Sequence, residues 1–576
     1  MFIFELLFDL GMEGSKYNFL WGIATSSYQV EGGISNNDWD YFTRSDAIKK
    51  RISSLTKPSI FYKGRTQIHL QPAGEAVKFW EPEYYESDFQ LAKSLGMNAF
   101  RISLEWARIQ PKKDQWNQEA LDHYKKMLRS MRKGGLTPIV TLNHFTLPLW
   151  VLTPPDKITK NIVQLILPSP LRDAPIGEPP STDPYWNSLR GWENDRTVKE
   201  FVKFTERIVV ELKDLVDYWI TINEPVASIV GLGYIGALSP PGFFLDGKRA
   251  KLALHNLIEA HIQAYDKITE LDLVDADGDG LPKRVGLGHL MTYIIPAKPN
   301  SILGKRVLNK SNHQAAENAS YFLNDYFLNA VIKGEEDVNY LNTLKIHDKT
   351  SKDFLIHDNW KNKVDFIGLN YYRRIHVYHS IVVALSSARF IGGAFINDLN
   401  EKTWKSKSSP DSYGMLNDLG WEIYPQGIYE LVMRLTNKYA KPIFVTENGI
   451  ADKHDRYRGP FIVAHIEQIK RAIDNGANVI GYLHWSMMDN YEWQESYRPE
   501  AKFGLFKIDK DSKNSRTDRE QHLKRQVTKG AEVLKLIIKE SVKQGKTTTI
   551  ADSAISRAKT DYGIFTADGS SIVLPT

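Results

Sequence analysis

Two apolar runs that both stop on a glutamate constrain this chain most. Ile443-Phe444-Val445-Thr446-Glu447-Asn448-Gly449 follows Pro442, and Asp217-Tyr218-Trp219-Ile220-Thr221-Ile222-Asn223-Glu224 is closed by Pro225. Each reads as a short buried strand ended by turn chemistry, with its carboxylate exposed at a rim. Pro225 is expected to hold Glu224 extended and to stop the strand there. An acid at the end of an apolar strand loses hydration unless the site uses its charge. Residues so far apart in the chain meet only where a fold gathers strand ends on one face, and a parallel barrel does that.

These two runs belong to a series of eight: 19–25, 97–103, 138–144, 217–223, 285–291, 364–370, 442–447 and 479–485. Helical periodicity lies between them. Tyr85, Phe89 and Ala92 fall at i, i+4 and i+7 ahead of the second run, and His261, Tyr265 and Ile268 do so ahead of the fifth. Strand and helix alternating eight times predict an α/β fold: a single (β/α)8 TIM barrel with long βα-loop insertions and a C-terminal extension. We expect an N-terminal extension over 1–15, the catalytic barrel over 16–540, and an appended extension over 541–576, where Thr, Ser and Gly accumulate. The prolines from Pro154 to Pro184 predict an irregular wall over 151–192, and 375–416 is a comparable insertion after the sixth strand.

Composition removes several classes of function. There is no cysteine, which excludes thiol nucleophiles, disulfides and zinc-thiolate sites. The 74 basic and 69 acidic residues nearly cancel at a formal charge of +5, so there is no electrostatic footprint for nucleic acid. Fourteen tryptophans favour an aromatic-lined ligand cleft. The start, Met1 to Leu10, carries two acids, lacks a basic flank and is too short to span a bilayer, so we expect no membrane association and a cytoplasmic location. Asp275-Ala276-Asp277-Gly278-Asp279-Gly280 begins like a calcium loop, but Gly286 stands where a bidentate Glu is needed. We read it as a turn between helix and strand, with no metal and no cofactor required.

If Glu224 and Glu447 share a rim, two carboxylates in different surroundings serve one reaction. Glycoside cleavage needs such a pair, one acid protonating the leaving oxygen while the other attacks the anomeric carbon. Arg101, at the end of the second strand, is placed to hold Glu447 ionised, and the anion then keeps Glu224 protonated near neutral pH. Strict alternation would send Asn223 and Glu224 to opposite faces, so the backbone must twist at Pro225.

Five blocks occur in order between about residues 16 and 510: 21–32 (WGIATSSYQVEG), 221–225 (TINEP), 367–372 (IGLNYY), 445–449 (VTENG) and 481–493 (GYLHWSMMDNYEW). Together they resemble glycoside hydrolase family 1, and the last block with Asn417-Asp418-Leu419-Gly420-Trp421-Glu422 is most similar to its archaeal β-glycosidases. The resemblance implies a retaining enzyme hydrolysing terminal β-D-glucosides, with galactosides or fucosides also accepted. It implies Glu447 as nucleophile, Glu224 as acid/base, and Tyr372 as the residue that orients Glu447. It further implies a sugar subsite formed by Gln29, His144, Asn223, Asn370, Tyr372, Trp485, Glu492 and Trp493, and a cis peptide at Trp485-Ser486. The side-chain chemistry suits those roles: amides and carboxylates fix hydroxyls, and indoles offer flat faces to the C–H surface of a sugar. A β-linked glycoside is then the partner, and the archaeal likeness allows a homo-oligomer.

Competing readings separate on single residues. A 6-phospho-β-glycosidase would set cations where Glu492 stands. A non-catalytic sugar-binding member would lack one glutamate, and both are present. A transglycosylating member would pass the glycosyl group to an alcohol.

Overall fold

Eight parallel strands close into a barrel in which every strand lies between its neighbours in sequence: β1 (Leu20–Ala24), β2 (Ala99–Ser103), β3 (Thr137–Asn143), β4 (Tyr218–Asn223), β5 (Arg284–Leu290), β6 (Phe366–Tyr371), β7 (Ile443–Asn448) and β8 (Val479–Trp485). The ring is completed by β8 pairing with β1, Leu20 to Gly481 through Ala24 to Trp485. This computed structural model describes residues 19–46, 48–49, 69–151, 191–297, 305–338, 354–380, 383, 394–396, 415–508, 523–543 and 550–573. The expected extension at 1–15 and nearly all of the proline-rich wall lie outside the described residues.

The strands are buried almost throughout and mostly apolar because both faces are covered, as parallel sheets require. Leu20, Ala99, Ile139, Ile220, Phe366, Phe444 and Leu483 fill the barrel interior. The alternate residues, such as Val140, Trp219, Val285 and Ile367, pack outward against the helices. Tyr85, Phe89 and Ala92 form the buried face of helix Pro82–Ser94, and His261 and Ile268 are buried on helix Gly247–Leu271. Asn117, Asn194 and Asp246 each cap a helix with the side chain accepting from a first-turn amide. The barrel expected from alternating strand and helix is therefore the fold observed. No helix among the described residues is long and apolar enough to cross a membrane.

One insertion carries structure that its composition did not announce. Arg374–Tyr378 pairs with Tyr293–Pro296 in parallel and with Ala394–Ile396 antiparallel, making a small sheet beside the barrel. Ile375 and Val377 from that strand pack on Ala315, Ala316 and Ala319 of helix Lys305–Ser320. The Asp275–Gly280 segment lies as a turn ahead of β5, its Asp275 carboxylate accepting the amides of Gly278, Asp279 and Gly280.

The last barrel helix runs from Lys529 to Lys543, past the expected boundary at 540. Beyond it, helix Asp552–Tyr562 buries Ala554, Ile555 and Ala558, and a hairpin pairs Ile564–Phe565 with Ile572–Val573. That hairpin reaches a loop at the barrel's open end. Met415 and Gln426 donate their amides to the carbonyls of Gly569 and Ala567 at 2.6 and 2.7 Å, and Ile423 donates to Met415 at 2.8 Å. Gly569 has φ +68°, and a Cβ there would stand 1.8 Å from the Ile423 carbonyl, so the close approach needs glycine.

Candidate active site

Glu224 and Glu447 open into one cavity of about 290 Å³ at the C-terminal rim of the barrel, with His144, Tyr372, Trp485, Glu492 and Trp493 among its lining. Two backbone irregularities aim the acids. Along β4, Tyr218 and Ile220 face the barrel interior while Trp219 and Ile222 belong to the outer layer, so the alternation breaks between 220 and 222. The pairing with β5 shifts between Ile220 and Asn223. Glu224 then adopts a left-handed conformation, φ 48° and ψ 53°, and not the extended one expected ahead of Pro225. That conformation costs a non-glycine residue about 1–3 kcal/mol. It is held by the Glu224 amide donating to Gly288 O at 2.7 Å, and by its own carbonyl accepting from Ser228 and Ile229. On β7 the pairing with β6 shifts between Val445 and Glu447. Glu447 is a buried residue within its strand, 3% exposed, and does not stand free at a rim.

Arg101 organises the floor. Completely buried, it donates from Nη1 to Glu447 Oε1 at 2.8 Å, from Nη2 to Asn223 Oδ1 at 2.7 Å and from Nε to Thr141 Oγ1 at 2.9 Å. Gly288 makes room for this: a Cβ there would lie 2.4 Å from Asn223 Oδ1. Tyr372 donates its hydroxyl to Glu447 Oε2 at 2.6 Å, so both oxygens of that carboxylate take a donor. Glu224 receives Asn370 Nδ2 at 2.8 Å on Oε1 and the hydroxyl of Ser228 on Oε2. Asn370 in turn accepts from Thr446 Oγ1 at 2.7 Å, tying β6 to β7.

The charges follow from these surroundings. Burial pushes the Glu224 carboxyl up to about 7, and the nearby Glu447 charge adds to the rise. Burial also raises Glu447 above the usual carboxylate range, with Arg101 and Tyr372 pulling the other way. Arg101, expected to hold Glu447 ionised, does favour its charged form, but desolvation is the larger effect. Burial, with the Glu447 charge next, lifts the Tyr372 phenol well above its ordinary value, so it stays a donor.

The far end of the cavity is polar and incompletely satisfied. His144 Nε2 meets Asn223 Nδ2 at 3.1 Å, while its Nδ1 has no hydrogen-bond partner among the described residues. Burial holds this imidazole neutral, well below its usual pKa. Glu492 Oε2 is likewise unpaired, and burial lifts its carboxyl to about 8. Buried polar atoms without partners are rare, so these two point at a polar ligand. Trp493 is braced by Trp39 and Phe145 at ring-centre distances of 4.6 and 4.9 Å, and Trp485 lies 6.1 Å from the His144 ring. The peptide at Trp485-Ser486 is cis, as expected.

Not every expected sugar contact lies on the wall. Gln29 accepts from Ser26 Oγ at 2.7 Å and donates to the Tyr491 carbonyl at 2.6 Å, and it stands behind the lining, as Asn223 and Asn370 do. Two residues with a place in the site were missed. Ser228 sits four positions after Glu224 on the wide helix Pro225–Ile235, a spacing that brings side chains together and was readable. Trp421, within the stretch similar to the archaeal enzymes, lines the cavity with the Arg373 guanidinium 4.5 Å from its ring.

A family model described as "Glycosyl hydrolase family 1" matches residues 14–164 and 187–529. The chain is 30% identical over 537 residues to a β-galactosidase of Pyrococcus woesei, covering 85% of this chain and 92% of that protein. It is 27% identical to β-glucosidase A of Acetivibrio thermocellus, covering 86% and 94% respectively. Among solved structures it is similar to a β-glycosidase from Pyrococcus horikoshii, with a TM-score of 0.63, 28% identity, and coverage of 94% of this chain and 96% of that one. A barrel with two acids on one cavity and a family model spanning most of the sequence lead to one conclusion: the chain belongs to glycosyl hydrolase family 1 and is a glycoside hydrolase.

Proposed function

We propose that this enzyme is a retaining β-glycosidase that releases terminal β-D-glucose and β-D-galactose by double displacement. The observation that carries the reading is the asymmetry of the two acids. Glu447 has both oxygens served by donors, one of them cationic, whereas Glu224 has neutral donors and a carboxyl near 7. The ionised Glu447 attacks the anomeric carbon while Glu224 passes its proton to the departing oxygen, leaving a glycosyl ester and a free alcohol. Esterification removes the Glu447 charge, so Glu224 becomes more acidic and serves as base for the water that frees the sugar. His144 Nδ1 and Glu492 Oε2 are free to meet sugar hydroxyls. Names borne by relatives, β-galactosidase and β-glucosidase, support both sugars.

A phosphorylated sugar draws less support, though for a different reason than charge repulsion. With its carboxyl near 8, Glu492 is mostly protonated at pH 7 and repels phosphate weakly. The cation that lines the cavity among the described residues is Arg373, and it lies against Trp421. The test is Glu447→Ala with an aryl β-glucoside: turnover should vanish, and azide or formate should restore part of it with inverted product. Absence of rescue removes Glu447 from the nucleophile's role.

A further inference from the structure

Along the chain, the segment Asp275–Gly280 lacks one carboxylate of a calcium loop, because Gly286 holds the twelfth position within β5. In the fold a carboxylate arrives from another strand. Asp217 stands immediately before β4, completely buried, and one oxygen each of Asp217, Asp275 and Asp277 lie within 4.8 Å of one another. Calcium bonds oxygen at about 2.3–2.6 Å, so one ion can touch oxygens up to about 5 Å apart. Asp217 Oδ1 accepts the Ala276 amide at 2.7 Å, which fastens the loop to the strand, while Oδ2 has no hydrogen-bond partner among the described residues. A buried carboxylate oxygen is rarely left so. The neighbouring side chains do not fill the need. Arg132 lays its guanidinium on the carbonyls of Leu215 and Ala276, and its Nη1 stops 3.6 Å from Asp217 Oδ2, an ion pair too long for a hydrogen bond. Arg284 is engaged by Asp279, which is not one of the three. Asp272, where the preceding helix ends, is also fully buried; its Oδ2 accepts from Trp219 Nε1 at 2.8 Å and its Oδ1 is unpaired, so negative charge accumulates here. Asp275 and Asp277 are exposed, so an ion can enter from solvent and keep water on its open side.

We propose that this corner binds a calcium ion, with the carboxylates of Asp217, Asp275 and Asp277 as its protein ligands. It lies at the N-terminal end of the barrel strands, opposite the rim that carries the cavity, so the ion clamps the loop ahead of β5 to the start of β4 and takes no part in bond cleavage. The experiment uses the full chain after chelation and dialysis. Calorimetric titration with calcium should give one ion per chain. Terbium should luminesce under ultraviolet excitation, since Tyr218 and Trp219 adjoin Asp217, and calcium should displace it. Calcium at about a hundred times its Kd should raise Tm by about 2 °C. Asp277→Ala, at an exposed position, and Asp217→Asn, which keeps the side chain's shape, should each weaken calcium binding more than tenfold, with turnover of an aryl β-glucoside unchanged in Asp277→Ala. No binding at about 10 mM calcium, magnesium held as tightly as calcium, or either folded variant binding like the parent would overturn the proposal. If Asp217→Asn does not fold, Asp277→Ala decides the matter.

Discussion

Replacing Ser228 with alanine tests the electrostatics of the site most directly. The hydroxyl donates to Glu224 Oε2, one of two side-chain donors on that carboxyl. A hydrogen bond to an ionised group is worth about 1.5–3 kcal/mol, and one pKa unit corresponds to about 1.4 kcal/mol. Losing a donor that favours the charged form therefore raises the Glu224 pKa by about one to two units. The parent value is about 7, set by burial and by Glu447, so the alkaline limb of the kcat/KM profile should begin near neutrality and move up in the variant. With Glu224 as the proposed acid its protonated form is the active one, so above neutral pH the variant should retain a larger share of its own maximum than the parent does. Its maximum is lower, because the carboxyl is less firmly oriented. The assay is kcat/KM for an aryl β-glucoside from pH 4 to 10, with Ser228→Thr as the control that keeps a hydroxyl. An alkaline limb that stays in place or moves down, or a threonine variant that behaves like alanine, refutes the reasoning.

Other outcomes follow from the same geometry. Glu224→Gln should slow poor leaving groups by about 10²–10⁴ while leaving dinitrophenyl glycosides nearly unaffected; equal losses with both substrates count against its role as acid. Tyr372→Phe removes one of two donors from Glu447 and should lower kcat by about 10–100-fold, measured with saturating substrate, since a hydrogen bond to a charged group is at stake. Gly288→Ala pushes a methyl against Asn223 Oδ1 and should destabilise the fold by about 1–3 kcal/mol and displace Arg101. Thermal unfolding and kcat should fall together, and an unchanged kcat would show that Asn223 yields without disturbing Arg101.

The sequence disclosed the architecture because a parallel barrel buries both faces of its strands, which makes each strand a short continuous apolar run bounded by turn residues. Every one of the eight expected runs contains or overlaps an observed strand. The acids at 224 and 447 could be read for the same reason: they end such runs. Their aim was not readable in detail. The left-handed turn at Glu224 and the shifts beside Asn223 and Glu447 depend on how a strand registers with its neighbours, and a single strand's residues do not state that. Nor did residue type reveal that Gln29 is occupied by Ser26 and Tyr491, or that burial lifts Glu492 to about 8. The strand at Arg374–Tyr378 had a signal, alternating Ile375 and Val377, hidden within an insertion judged by its loop-like composition.

The hairpin at 564–573 fastens the tail to the loop that brings Trp421 to the cavity. It holds the stretch that carries Trp421 through main-chain hydrogen bonds at Gly569 and Ala567, shares the apolar core through Phe565, and contributes no strand to the barrel. Trimming the polypeptide from residue 550 onward would therefore free the loop that carries Trp421 and would also uncover barrel-helix surface now covered by Ala554, Ile555, Ala558 and Phe565.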